Sequence, residues 1–331
     1  MLRGLPLLLL ILLLINMSAR IEPLGAFAGY ASLALLGVGA LMVVGWLLQG
    51  PRRWLRAKRE ARREAQRRSR RLERARRAWG GVVLDEEVKN ELLAVQKVLL
   101  GSREYRQKWG QDLPKGMILY GPSGTGKTLI ARTLAQGAGY GFISASAAEI
   151  KGSLHGESER AVHDLYAKAR EAAPCIVFLD EIDAVAATRG HGVDGSSRAD
   201  NSTVNQLLVE VDGFEASRDV FTIGATNRFD ILDSAVRSRL STHIHIGLPE
   251  RHARLALLKI STHAFRDRLG TDVDLAALAD LTDGYSGRDL EMLCKRAVLK
   301  AFSRDKEVVD WGDFSAALRN DAGSPGHMTF A

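Results

Sequence analysis

The sequence predicts an α/β fold, a Rossmann-like parallel sheet followed by a helical lid and preceded by hydrophobic segments, and three observations carry that prediction. A glycine-rich loop, 121–128, lies between a short apolar strand and a helical pattern. Two further apolar runs, 175–179 and 220–226, each lead into polar residues suited to a ligand site. Beyond Pro249, amphipathic patterns over His252–Ala264, Leu275–Leu281, Arg288–Phe302 and Trp311–Arg319 predict four helices.

The expected organisation, in chain order, is a membrane anchor over 1–50, an Arg-rich linker over 51–79, the α/β subdomain over 80–248, the lid over 249–320 and a flexible tail over 321–331. With 331 residues, 46% hydrophobic and 26% charged, the chain has the composition of a globular protein, and it shows no internal repeats. Cys175 and Cys294 are the only cysteines and sit far apart in apolar runs, which suggests no disulfide framework and fits a reducing compartment.

The anchor rests on two segments. Leu24 to Leu48 is 25 residues without a charge, enough to span a bilayer core, which takes roughly 20. Gly4 to Met17 is Leu-rich but only 14 residues long and contains Pro6, so it reads as a thin first span of a hairpin or as a signal-like segment. From Arg52 to Arg77, thirteen Arg and one Lys stand against Glu60, Glu64 and Glu73, a net of +11. The whole chain carries +7, so everything else carries −4, and the basicity belongs to this block alone. Lys and Arg beside a span stay on the cytoplasmic side, which places the remaining chain in the cytoplasm of a bacterial inner membrane or its equivalent. The block suits anionic lipid headgroups, and equally a solvated helical connector. Aromatic residues flank it only at Trp54 and Trp79, so stacking on bases is unsupported and nucleic acid is not an expected partner.

Gly121-Pro-Ser-Gly-Thr-Gly-Lys-Thr128 matches G-x-x-x-x-G-K-[ST], after the apolar strand Met117–Tyr120 and before the helical pattern Leu129–Ala138. Glycines let successive backbone N–H groups turn inward around phosphates, and the helix N-terminus adds the positive end of its dipole. The expected nucleotide-binding residues are Gly121, Pro122, Ser123, Gly124, Thr125, Gly126, Lys127, Thr128 and Leu129. Lys127 should reach the β and γ phosphates of ATP, and the Thr128 hydroxyl should ligate Mg²⁺. Asp180 and Glu181 emerge at the carboxyl end of the second apolar strand, where open α/β sheets bind ligands. There Asp180 is expected to hold Mg²⁺ through water and Glu181 to polarise the attacking water. Asn227, at the end of the third strand, suits a γ-phosphate sensor, although an Asn after a strand is also a common turn residue.

Together these strand ends look like an AAA-type ATPase of the AAA+ superfamily. Asp112 to Arg319 resembles the ATPase module of FtsH-type membrane-anchored AAA proteases, through Leu113-Pro-Lys-Gly116, Ala172-Ala-Pro-Cys-Ile176 running into Asp180-Glu-Ile-Asp-Ala184, and Asn205-Gln-Leu-Leu-Val-Glu-Val-Asp-Gly-Phe214. Gly224-Ala-Thr-Asn227, Leu248-Pro249 and Gly284-Tyr-Ser-Gly-Arg-Asp-Leu290 extend the likeness, as does the hydrophobic hairpin ahead of the module. The resemblance implies a hexameric ring of identical subunits that pulls on protein substrates. It also implies that Arg239 is an arginine finger reaching a neighbour's γ-phosphate, with Arg237 as a second finger offset by Ser238. Arg288 takes a place where many relatives have a small residue, as a phosphate sensor from the lid or as a solvated helix-start arginine.

The departures from the family pattern are as informative. The zinc-binding H-E-x-x-H of the family proteases is absent from these residues, so the expected activity is ATP hydrolysis without a peptidase. The pore position that the family fills with an aromatic residue holds Leu154, followed by His155, which weakens the grip on a threaded chain. The finger region is short, as in the spastin and katanin branch, and Leu84 replaces the family's Gly near the adenine. Arg189 to Asn201, rich in Gly, Ser and Asp, reads as a mobile loop. Three outputs stay open. The first is an unfoldase or membrane-protein extractor, with a separate peptidase or adaptor as partner. A remodeller that separates folded partners without threading is favoured by Leu154 and the short finger loop. A nucleotide-dependent scaffold is disfavoured by the full set Lys127, Thr128, Asp180, Glu181, Asn227 and Arg239.

Overall fold

The computed structural model describes residues 77–321 apart from 112, 152–156, 188–194 and 214–218, together with 37–39 and scattered positions between 62 and 75. Both hydrophobic segments (37–39 aside), most of the Arg-rich block, the Leu154 loop and the tail beyond 321 lie outside the described residues. Among the described residues, no helix is long and apolar enough to cross a membrane.

Five strands, β1 (Gly116–Tyr120), β2 (Gly141–Ser146), β3 (Cys175–Asp180), β4 (Val220–Thr226) and β5 (Thr242–His245), form one parallel sheet in the order β2-β3-β4-β1-β5. Around it run α1 (Glu86–Leu100), α2 (Ser102–Trp109), α3 (Lys127–Ala138), α4 (Ala147–Lys151), α5 (Glu157–Glu171), α6 (Asp183–Ala186), α7 (Gly195–Asp212) and α8 (Ser234–Arg239). The lid comprises α9 (Arg251–Thr262), α10 (Leu275–Leu281), α11 (Gly287–Phe302) and α12 (Trp311–Asp321).

The three central strands are almost unbroken apolar runs because helices cover both faces of the sheet. Strand alternation sorts their side chains into two cores. Ile118, Cys175, Val177 and Leu179 pack with Val162 and Tyr166 of α5 and Val204 and Leu207 of α7. Met117, Leu119, Ile176, Phe178 and Ile223 pack on the other side with Ile130 and Leu134 of α3, Leu92 and Leu99 of α1, and Trp79. A separate core in the lid gathers Leu258, Leu278, Leu290, Leu293 and Phe314. There α11 starts from a capping box, in which Asp289 Oδ2 accepts from the Ser286 N–H at 2.9 Å and Ser286 Oγ accepts from the Asp289 N–H at 3.3 Å.

Helix α7 corrects the loop expected over 189–201, since it begins at Gly195. Its first turns have poor helix formers, but Val204, Leu207 and Val211 bury the later turns and helix propagates back from them. The first lid helix stops at Thr262, two residues short of the predicted end, because His263–Arg268 tightens into a 3₁₀ turn with Phe265 at φ −126°. The last helix runs to Asp321, one residue into the expected tail.

Candidate nucleotide site

The sheet order decides where the site forms. Strand β4 lies between β1 and β3, with Tyr120 in register with Thr226 and Leu179 with Gly224. The residues that follow these three strands therefore emerge side by side at the carboxyl edge, although Lys127 and Asn227 are 100 positions apart in sequence.

Lys127 is the first residue of α3, after Gly126 at φ +92°, a left-handed position that glycine takes without steric penalty. Its side chain is buried and curls under the loop. The Nζ donates to the Gly121 carbonyl at 2.9 Å, the Pro122 carbonyl at 2.8 Å and Asn227 Oδ1 at 2.7 Å. Burial pulls its pKa below the ordinary lysine value; Asp180 opposes this and the nearby Arg288 adds to it. Thr125 Oγ1 donates to the Pro122 carbonyl at 3.0 Å and closes the turn, while Pro122 and Ser123 face solvent. Leu129, 52% exposed, stands on the open side of α3.

Thr128 Oγ1 donates to Asp180 Oδ2 at 3.3 Å. A hydroxyl and a carboxylate converging in this way are hard oxygen donors, the chemistry that Mg²⁺ takes. The next residue, Glu181, is exposed and holds φ +52°, a left-handed backbone uncommon outside glycine. Its N–H donates to Asp180 Oδ1 at 3.1 Å, and the Ile182 N–H is tied to the Ala225 carbonyl at 2.9 Å, so the turn is held against β4. Strain of this kind concentrates at functional positions.

Asn227 is bracketed by contacts that its sequence context gave no reason to expect. Thr226 Oγ1 donates to Asp183 Oδ1 at 2.6 Å and accepts from the Arg228 N–H at 2.9 Å. The lid completes the arrangement. The Arg288 N–H donates to the Gly124 carbonyl at 3.2 Å, and a Cβ at Gly124 would stand only 2.5 Å from Ser286 Oγ. Gly124 is thus required both by its φ of +76° and by the lid resting on it.

The structure brings together Lys127, Thr128, Asp180, Glu181, Asn227 and Arg288. Arg237 and Arg239, on α8, have partners of their own in the same chain. Arg239 Nε donates to Asp212 Oδ2 at 3.0 Å, beside Lys115, and the Arg237 guanidinium lies 5.7 Å from the centre of the Phe229 ring. Asp212, Phe229 and Asp183 were given no role from the sequence: Asp183 and Asp212 lie in stretches that carry the resemblance, but Thr226 and Arg239, which they meet, are distant along the chain.

A glycine loop around a buried lysine, with carboxylates and an amide on adjoining strand ends, defines a P-loop nucleotide-binding protein. The family described as ATPase family associated with various cellular activities (AAA) matches residues 117–248, and the AAA+ lid domain matches 272–316. The chain thus contains an AAA ATPase domain followed by an AAA+ lid domain. It is 42% identical over 248 residues to the ATP-dependent zinc metalloprotease FtsH 4 of Sphaerobacter thermophilus, covering 74% of this chain and 37% of that protein. It is 41% identical over 237 residues to the proteasome-activating nucleotidase of Methanopyrus kandleri, covering 71% of this chain and 54% of that protein. A third relative, the FtsH of Cupriavidus metallidurans, is 42% identical over 234 residues. The chain spans about a third to a half of the length of these relatives, at 36% to 54%.

Proposed function

We propose that this chain is a membrane-anchored, ring-forming ATPase that couples Mg²⁺-dependent ATP hydrolysis to unfolding, extraction or remodelling of proteins and cleaves no peptide bonds itself. The observation that carries the ATPase reading is the buried Lys127 ammonium, held between the loop carbonyls and Asn227 within reach of the Thr128–Asp180 pair. In this reading, phosphate oxygens replace the Gly121 and Pro122 carbonyls as partners of Lys127. Glu181 orients the attacking water, Asn227 senses the terminal phosphate, and Arg288 approaches it from the lid. Mg²⁺, taken by Thr128 directly and by Asp180 through water, would screen the phosphate charge. Arg239 leaves Asp212 to reach the nucleotide of the next subunit in a ring, a hexamer by analogy with the resemblance.

The protein-directed output is supported by relatives whose names couple ATP to proteolysis or to proteasome activation. The anchor is supported by the uncharged 25-residue stretch Leu24–Leu48, and lipid contact by the Arg-rich block after it. Steady-state turnover of the full chain in membranes tests the chemistry. Lys127→Ala and Glu181→Gln should each lower it by ~10²-fold or more, the scale of losing a positioned catalytic group. Turnover unchanged in both would end the ATPase reading. A photocrosslinker at Leu154 in the Glu181→Gln background tests the output. ATP-dependent attachment to particular polypeptides supports threading, whereas an assembled, ATP-bound ring without attachments favours remodelling from the outer surface. Extraction of the chain from membranes by alkaline carbonate would remove the anchor.

A further inference from the structure

The rings around Phe229 connect the end of β1 to α8, beside the apolar packing of Val236 and Leu240 in the same core as Ile118. Phe229 begins the 3₁₀ turn Phe229–Ile231, two residues after Asn227. Its ring stacks on Tyr120, the last residue of β1 and the neighbour of Gly121, with centroids 4.4 Å apart and planes 26° from parallel. Tyr120 in turn lies 5.1 Å from the ring of His245. On its other side Phe229 meets His243 edge-on at 5.0 Å, and the Arg237 guanidinium lies 5.7 Å from the Phe229 centroid. His243 Nε2 donates to the backbone carbonyl of Arg237 at 3.1 Å, which ties α8 to β5.

Each contact is of a kind that favours one geometry: offset rings, an edge-to-face pair and a cation over a π face. The stack starts at the strand that leads into the phosphate loop, includes a ring two residues after Asn227 and ends on the helix that carries Arg239. We infer that Phe229, with Tyr120 and His243, transmits the state of the chain's own nucleotide site to α8, and that Arg237 is a positioning residue that docks α8 on this stack and not a second finger on phosphate. The inference rests on the ATPase reading above, in which Arg239 acts on a neighbouring subunit. A guanidinium already seated on an aromatic face, with its own carbonyl bonded to His243, is built to hold the helix. Arg239, whose partner among the described residues is the half-exposed Asp212, is the one placed to exchange partners.

Amide hydrogen exchange on the full chain, with and without ATP, tests the coupling directly. In the unmodified protein, ATP should slow exchange both in 121–128 and in 234–240. In Phe229→Leu, which keeps apolar bulk but loses the ring face, protection of 121–128 should persist while the ATP-dependent protection of 234–240 is lost; Phe229→Tyr should restore it. Protection of 234–240 that is unchanged in Phe229→Leu, or absent in the unmodified protein, would overturn the inference. If ATP fails to protect 121–128 in any form, it is the ATPase reading that falls. Kinetics supply the second arm. Phe229→Leu and Arg237→Ala should each reduce kcat about tenfold with KM for ATP within twofold, and the double variant should be no worse than either. If Arg237→Ala abolishes turnover while Phe229→Leu leaves it intact, Arg237 touches phosphate directly and the positioning role is wrong.

Discussion

Lys127 shows how a binding residue can work against the stability of its own fold. Burial lowers its pKa, so the folded chain holds its ammonium less willingly than the unfolded chain does. The sign follows from that direction. A penalty on the folded state is full below the folded pKa, and it fades as pH rises through that value towards the unfolded one. Lys127→Met, which keeps the length and removes the charge, should therefore melt at or above the temperature of the unmodified protein without nucleotide, and should lose the stabilisation that ATP confers. Thermal scans with and without ATP check both halves. At this scale the sequence was legible where a motif is contiguous: Gly121 to Thr128, Asp180 and Glu181, and Asn227 at its strand end. It was silent where a residue matters through a distant partner. Asp183 meets Thr226 across 43 positions and Asp212 meets Arg239 across 27, and neither spacing has a local signature.

At the scale of elements, α5 and α7 are joined by one buried carboxylate. Glu210 accepts from Arg170 at 2.6 Å, from His163 Nδ1 at 2.7 Å and from Gln206 at 3.0 Å. Burial alone would raise its pKa, but the hydrogen bonds from Arg170 and His163 overcome that and hold the carboxyl below the ordinary glutamate value. Its contribution to stability is thus present above the unfolded glutamate pKa of about 4.3 and is lost as pH falls through the lower folded value. Glu210→Gln should flatten the acid limb of stability against pH while lowering stability at neutral pH, as urea unfolding across a pH series would show. Phe178, fully buried between α3 and the sheet, belongs to the same scale, and Phe178→Ala should cost about 3–5 kcal/mol in urea unfolding. The central strands were legible as unbroken apolar runs. The edge strands were not, because β2 is half exposed along its length and β5 has only four residues. The start of α7 was hidden by composition: tertiary packing of its later turns outweighed the poor propensity of its first residues.

For the whole molecule, the division at Pro249 between sheet and lid was written in the periodicity, whereas the resting position of the lid was not, since it depends on Arg288 finding Gly124 across the fold. Ligand linkage gives a global prediction. ATP at about 100 times its Kd should add ~2.7 kcal/mol to the module's stability, which corresponds to a rise of several degrees in Tm. Assembly gives another. If Arg239 works on a neighbour, specific activity should climb with protein concentration in detergent, and Arg239→Ala should remove that dependence; a flat profile for the unmodified chain would mean that each subunit acts alone. The lid contact also has a kinetic side. The hydrogen bond from the Arg288 amide to the Gly124 carbonyl seats the lid on the rim of the phosphate loop. If that contact has to break before nucleotide enters, the observed association rate should level off with ATP concentration at the opening rate of the lid; a rate that keeps rising linearly would show that it does not. Arg288→Pro, which removes that amide hydrogen at the first turn of α11 where proline is tolerated, should lift the ceiling. The affinity gained by a closed lid would then be seen as time: slow to admit a nucleotide and slow to release its product.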